Sequence, residues 1–164
     1  MIRTSRRALL VGVGITALLM GCNGQSVLVQ IQQDIETIAE GLAGAVKALT
    51  GIVPQVILDK ANAILAEIEA AASLVVSTST TSGSVLTQIS DAISALATLL
   101  TPFFPAAPMV ATAVQAAIVL IELVLNLAGV TPPASMAKAK LTAPSKMTPA
   151  EARGVLINLA KRTK

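Results

Sequence analysis

The chain has 164 residues, a net charge of +3, no histidine, a single cysteine, and 54% hydrophobic residues against 13% charged ones. It has no Trp, no Tyr and only two Phe, so its apolar mass is Ala, Leu, Ile and Val. Without histidine the usual proton shuttle and the commonest metal ligand are missing, and one cysteine allows no disulfide within the chain.

The first 21 residues have the three parts of an export signal. Arg3, Arg6 and Arg7 form a positive start, and residues 8–20 form an apolar stretch too short to span a bilayer as a helix. Leu19, Met20, Gly21 and Cys22 follow. This ending resembles the lipobox of bacterial lipoproteins, with an aliphatic residue at minus three, a small one at minus one, and then the cysteine. Met20 departs from the small or β-branched residue usual at minus two. The resemblance implies cleavage after Gly21 and lipidation of Cys22. Ser5-Arg6-Arg7-Ala8-Leu9-Leu10 also resembles a twin-arginine export motif. Both likenesses end within about the first 25 residues. Asn23 after the cysteine departs from the Cys-Asp start of lipoproteins kept at the inner membrane. The implied location is therefore exported and membrane-anchored, at the periplasmic face of the outer membrane. With several acyl chains buried at ~0.8 kcal/mol per CH₂, such an anchor holds far better than one chain.

Removing residues 1–21 leaves 143 residues, enough for one domain with a core. Their charge is sorted along the chain. Residues 22–130 hold two lysines against eight acids, a balance of −6. Residues 131–164 hold Lys138, Lys140, Lys146, Arg153, Lys161, Arg162 and Lys164 against Glu151, a balance of +6. The basic tail can fold back on the acidic part or attract an anionic surface such as phospholipid head groups. With no aromatic stacking residues in an exported chain, nucleic acid is not an expected partner.

Four amphipathic helices are expected over residues 27–129. The first, 27–53, carries Leu28, Ile31, Ile35, Ile38, Leu42, Ala45, Leu49 and Ile52 at steps of three and four, the seam of a helix lying almost along another. Gly41 and Gly44 in its middle are either a close helix crossing or a weak spot. Pro54 ends or kinks it. The second helix, 55–76, sets Ile57, Ala61, Ile64, Ile68, Ala71 and Val75 on one stripe, with Asp59, Asn62, Ala66, Glu69 and Ser73 opposite. Residues 77–84 are a polar Ser/Thr/Gly linker.

The third helix, 84–101, turns Val85, Ile89, Ala92, Leu96, Leu99 and Phe103 inward and Thr87, Asp91, Ser94, Thr98 and Thr101 outward. Three prolines between 102 and 108 then turn the chain. In the fourth helix, 109–129, Gln115, Glu122 and Asn126 share one narrow face and nearly everything else is apolar. Such a helix is the innermost member of a bundle or a membrane span. The eleven Leu, Ile and Val of residues 109–130 are worth roughly −3 to −7 kcal/mol on an insertion scale, and Glu122 cancels about half of that, so the buried position is expected. Gly129 suits a C-cap.

Residues 130–147 read as a Pro/Ala/Lys linker. Thr148-Pro149-Ala150-Glu151 is a helix-start signature, opening a short basic helix over 148–164 with a small apolar face of Leu156, Leu159 and Ala160. The expectation is an all-α, antiparallel bundle of four helices with this basic helix as a flexible appendage.

No catalytic residue, metal site or cofactor is expected. Glu36 and Glu40 are spaced to face one another on a helix but read as a solvated face, as do most of the eight acids. Glu122 reads as a rim residue. No phosphate-binding glycine loop or nucleophile elbow occurs. The leading expectation is a non-enzymatic, membrane-anchored protein with a structural or binding role at the cell envelope, held by membrane lipid through Cys22; its oligomeric state is open. One alternative is a membrane-bridging or membrane-perturbing lysis protein. A lipid anchor at one end and a span at 109–130 would resemble, in topology, the single-chain spanins of bacteriophages. A second alternative is a carrier of small apolar ligands held between Ala-rich helices.

Overall fold

The computed structural model describes residues 23–78, 83–142 and 146–162, the side chains of 23–26, 76–78 and 140–142 excepted. These residues form an all-helical bundle without strands: α1 (Asn23–Ala48), α2 (Gln55–Thr78), α3 (Gly83–Leu100), a 3-10 turn (Thr101–Phe103), α4 (Pro108–Ala128), α5 (Ala134–Thr142) and α6 (Pro149–Arg162). Four of the helices match the expected ones to within a few residues, because each is long and strongly periodic.

The 3-4 seam of α1 is buried from Ile31 through Ile35, Ile38, Leu42 and Ala45 to Leu49. The helix stops sooner than Pro54 alone suggests. It ends at Ala48, and Gly51 takes a left-handed φ of +87° in the turn that follows. A left-handed residue cannot continue a right-handed helix. Ile52, the last member of the expected seam, therefore leaves the core and is 50% exposed. In α2, Ala61, Ile68, Ala71 and Val75 are buried, while Asp59, Asn62, Ala66, Glu69 and Ser73 face solvent as expected.

Helix α4 packs against α1, α3, α5 and α6. Ten of its residues, from Val110 to Leu125, are buried, and Gln115 and Glu122 are half-buried with Asn126 exposed on the one wetter side. Gly129 caps it in the left-handed conformation, φ +71°, with its N–H on the Asn126 carbonyl at 3.2 Å and the Val130 N–H on the Leu125 carbonyl at 2.9 Å. By length and composition α3 and α4 are each long and apolar enough to cross a membrane. In this fold both turn that apolar surface toward their neighbours.

Two expectations about the chain's end are overturned. Residues 130–147 are not an unstructured linker, because they contain α5, which packs along α3. Pro132 and Pro133 precede the helix rather than interrupt it, and the Ala-Lys run after them has good helix propensity. Its Met136 is buried and covers Ser94, whose Oγ lies 3.4 Å from the thioether and donates to the Ser90 carbonyl at 2.8 Å. Ser94 is thereby dry, while Asp91 and Thr98 on the same expected face stay exposed.

Nor is α6 an appendage. Ala152, Leu156, Leu159 and Ala160 are buried against α1 and α4. The two helices α1 and α6 meet at Gly41, where an added Cβ would sit 2.5 Å from Leu156 Cδ2, 2.6 Å from its Cβ and 2.9 Å from its Cα. The glycine is a crossing point, since only a bare backbone lets the two helices approach this closely. Rotating the leucine side chain would not relieve the clash, because the backbone of Leu156 is itself in the way. Gly41→Ala should therefore destabilise the protein by about 1–3 kcal/mol in urea unfolding, although alanine is the better helix former; an unchanged or raised midpoint would contradict this crossing.

Candidate functional site

The residues expected to carry export and anchoring, Arg6, Arg7, Leu19, Met20, Gly21 and Cys22, lie outside the described residues. The described chain begins immediately afterwards, with α1 starting at Asn23.

The basic tail does not form one patch. Lys138 on α5 and Lys146 before α6 are exposed, and Lys161 and Arg162 are exposed in the last turn of α6. Lys164 and the side chain of Lys140 lie outside the described residues. Arg153 faces inward. Its Nε donates to Asp34 Oδ1 at 2.6 Å and its Nη2 to Asp34 Oδ2 at 2.9 Å, a two-pronged, charge-assisted pair. The hydrogen bonds to Asp34 hold the Arg153 guanidinium above its ordinary pKa; partial burial works against this, and the Coulomb attraction of Asp34 adds to it.

Asp34 corrects the reading of the acids as a solvated set. It is only 2% exposed, because it shares the side of α1 that α6 covers. The others stay wet or half-buried: Glu36, Glu40, Asp59, Glu67, Glu69 and Asp91 are exposed, and Glu122 sits half-buried at the rim. Removing one partner from a buried pair leaves an uncompensated charge, whereas removing both need not. Arg153→Met, which strands the Asp34 carboxylate, should cost about 2–4 kcal/mol. Asp34→Asn should cost less, because Arg153 is 32% exposed and can turn to water. The double variant should be more stable than Arg153→Met alone; strict additivity in thermal or urea unfolding would contradict the pairing.

The start of α6 is built as the sequence predicts. The Thr148 N–H donates to Glu151 Oε2 at 2.8 Å, and the Glu151 N–H to Thr148 Oγ1 at 3.3 Å, a reciprocal capping box. The backbone hydrogen bond from Thr148, and then its hydroxyl, lower the Glu151 pKa. A lowered carboxylate pKa stabilises the folded state above the ordinary carboxylate range, and the contribution is lost as pH falls through the folded pKa. NMR titration of the Thr148 amide should show a step in the acid range that is absent in Glu151→Gln; a flat wild-type titration would contradict the box.

One open groove runs between α2 and α3, lined by Glu67, Thr87, Gln88, Asp91, Ala92 and Val130. Asp91 already accepts a hydrogen bond from Ser135 at 2.5 Å. Among the described residues no three His, Cys, Asp or Glu side chains cluster as a metal set would. No protein-family model, curated protein or solved structure matches this chain.

Proposed function

We propose that this chain is a membrane-anchored lipoprotein with a non-enzymatic structural or binding role at the cell envelope, on the periplasmic face of an outer membrane. The observation that carries the proposal is the Leu19-Met20-Gly21-Cys22 ending placed directly before α1, which begins at Asn23. Acyl chains on Cys22 would hold the first turn of α1 at the bilayer surface, with almost no tether between anchor and bundle.

In this reading α1 to α4 run alternately up and down as an antiparallel four-helix core. Gln32 Nε2 donates to the Val75 carbonyl at 3.4 Å, setting the early turns of α1 beside the end of α2. A Cβ on Gly83 would meet Val130 Cγ2 at 3.6 Å, setting the start of α3 beside the end of α4. The reading also keeps α4 inside the bundle. Spanning a membrane with α4 would strip ten buried residues from α1, α3, α5 and α6, at roughly 1.5–3 kcal/mol for each large aliphatic side chain exposed by the departure. The tethered bundle therefore needs no transmembrane helix.

Intact-mass analysis of protein from native membranes should give a chain starting at Cys22 and carrying acyl groups. Inhibiting lipoprotein signal peptidase should leave a longer precursor, as should Cys22→Ser. An unmodified thiol, or a mature N-terminus elsewhere, would overturn the proposal.

A further inference from the structure

We infer that the end of the bundle remote from Asn23 is a docking surface for an anionic phospholipid membrane. Three elements meet there. Arg162 Nη1 donates to Met109 Sδ at 3.3 Å, so α6 ends where α4 begins. Asp34 meets Arg153 and Gly41 meets Leu156, so α1 and α6 run the same way and the α1–α2 turn lies at this end; the start of α4, which follows the α3–α4 turn, brings that turn here as well. Helix α1, 26 residues or ~39 Å long, separates this tip from Asn23.

The tip holds two kinds of exposed side chain together. Ile52 is 50% exposed, Val56 64% and Met109 42%. They account for three of the six large hydrophobic residues that the described surface leaves most exposed. At the same end are Lys47 in the last turn of α1, Lys60 early in α2, and Lys161 and Arg162 in the last turn of α6, all exposed. Among the described residues of this end the acid is Asp59, whose carboxylate accepts from Gln55 Nε2 at 2.9 Å.

Charge complementarity selects the occupant. Long cationic side chains beside isolated aliphatic ones match the headgroup boundary of an anionic bilayer, where the cations stay wet at the phosphates and the aliphatics enter the acyl edge. A protein partner would ordinarily find an exposed aromatic anchor; the chain has no Trp or Tyr, and the two Phe of this end, Phe103 and Phe104, are half-buried against the core. If the chain is anchored through Cys22, as the lipoprotein proposal holds, the tip faces away from the anchoring membrane and the bundle joins two lipid surfaces. Affinity of the tip for anionic lipid stands without that proposal.

The test uses the full chain as purified from membranes, incorporated into neutral phosphatidylcholine vesicles and checked by flotation. Fluorescent vesicles of phosphatidylcholine with about one-third phosphatidylglycerol are then added. Protein-bearing vesicles should capture them at least about ten-fold better than they capture neutral fluorescent vesicles, and 0.5 M salt should abolish the difference, since about that much salt cuts the screening length to roughly half its physiological value. Each cation near a charged surface is worth about five-fold, so Lys161→Glu with Arg162→Glu should lower capture by at least ten-fold. Ile52→Asn with Val56→Asn, at sites already exposed, should lower it several-fold with unchanged helical circular dichroism.

Equal capture of neutral and anionic vesicles by the wild-type chain overturns the inference whatever the variants do. So does capture that neither pair of substitutions alters. Clustering of protein-bearing vesicles with one another in the absence of anionic lipid would make the tip a contact between copies, and would overturn it as well. If the chain fails to incorporate, the anchor proposal has failed instead, and direct flotation of the chain with each vesicle type decides the tip.

Discussion

The approach of α6 to α1 at Gly41 is the constraint on which the rest of this bundle depends. Leu156 occupies the space a side chain at position 41 would need, and α6 thereby reaches the groove between α1 and α4. Without that approach Leu156, Leu159 and the facing parts of α1 and α4 would be open to water. The closeness of the two helices also brings Arg153 within reach of Asp34. The ion pair follows from the packing; a salt bridge of this kind is weak as a source of stability and strong as a constraint on which helix faces meet.

An aromatic-poor composition makes such close approaches necessary. Ala, Val, Ile and Leu fill less space than rings do, so helices must come near one another to reach the density of a protein interior. Ala113, Ala116 and Ala117 on α4, with Ala45 on α1, are all buried and permit that approach. Helix α4 looks like a membrane span because a helix surrounded by neighbours on most sides needs apolar residues on most sides. Its half-buried Glu122 and exposed Asn126 mark the remaining side.

The long helices were legible in the sequence because their burial follows a strict period. The α1 seam, the α2 stripe, the Gly129 cap and the Thr148–Glu151 box are each local, so each could be read locally. Three features were hidden for a common reason. Helix α5 is short and has little apolar periodicity, so its Lys-rich stretch resembles a linker until α3 is placed beneath it. Ser94 looks solvent-facing until α5 covers it. Asp34 looks like one acid among eight until α6 docks, and its partner lies 119 residues away. The clue that did exist was Gly41 inside an otherwise regular seam, a costly residue unless another backbone comes close. The residues around Cys22 that resemble a lipobox were the clearest functional signal in the sequence and fall outside the described residues.

Charge is where the fold changes the meaning of the sequence most. Read linearly, the chain has an acidic body and a basic tail, which suggests one long-range attraction. In three dimensions the tail cation Arg153 is paired with the body acid Asp34. Helix direction redistributes the charges. Because α1 and α6 both end at the same end of the bundle, Lys47 joins Lys161 and Arg162 there, although Lys47 belongs to the acidic part of the sequence. Cations in the last turn of a helix are favoured by its dipole, so each is individually unremarkable. Their convergence on one end beside exposed aliphatics is a property of the topology alone, and it turns the preferences of two separate helix ends into a single cationic surface.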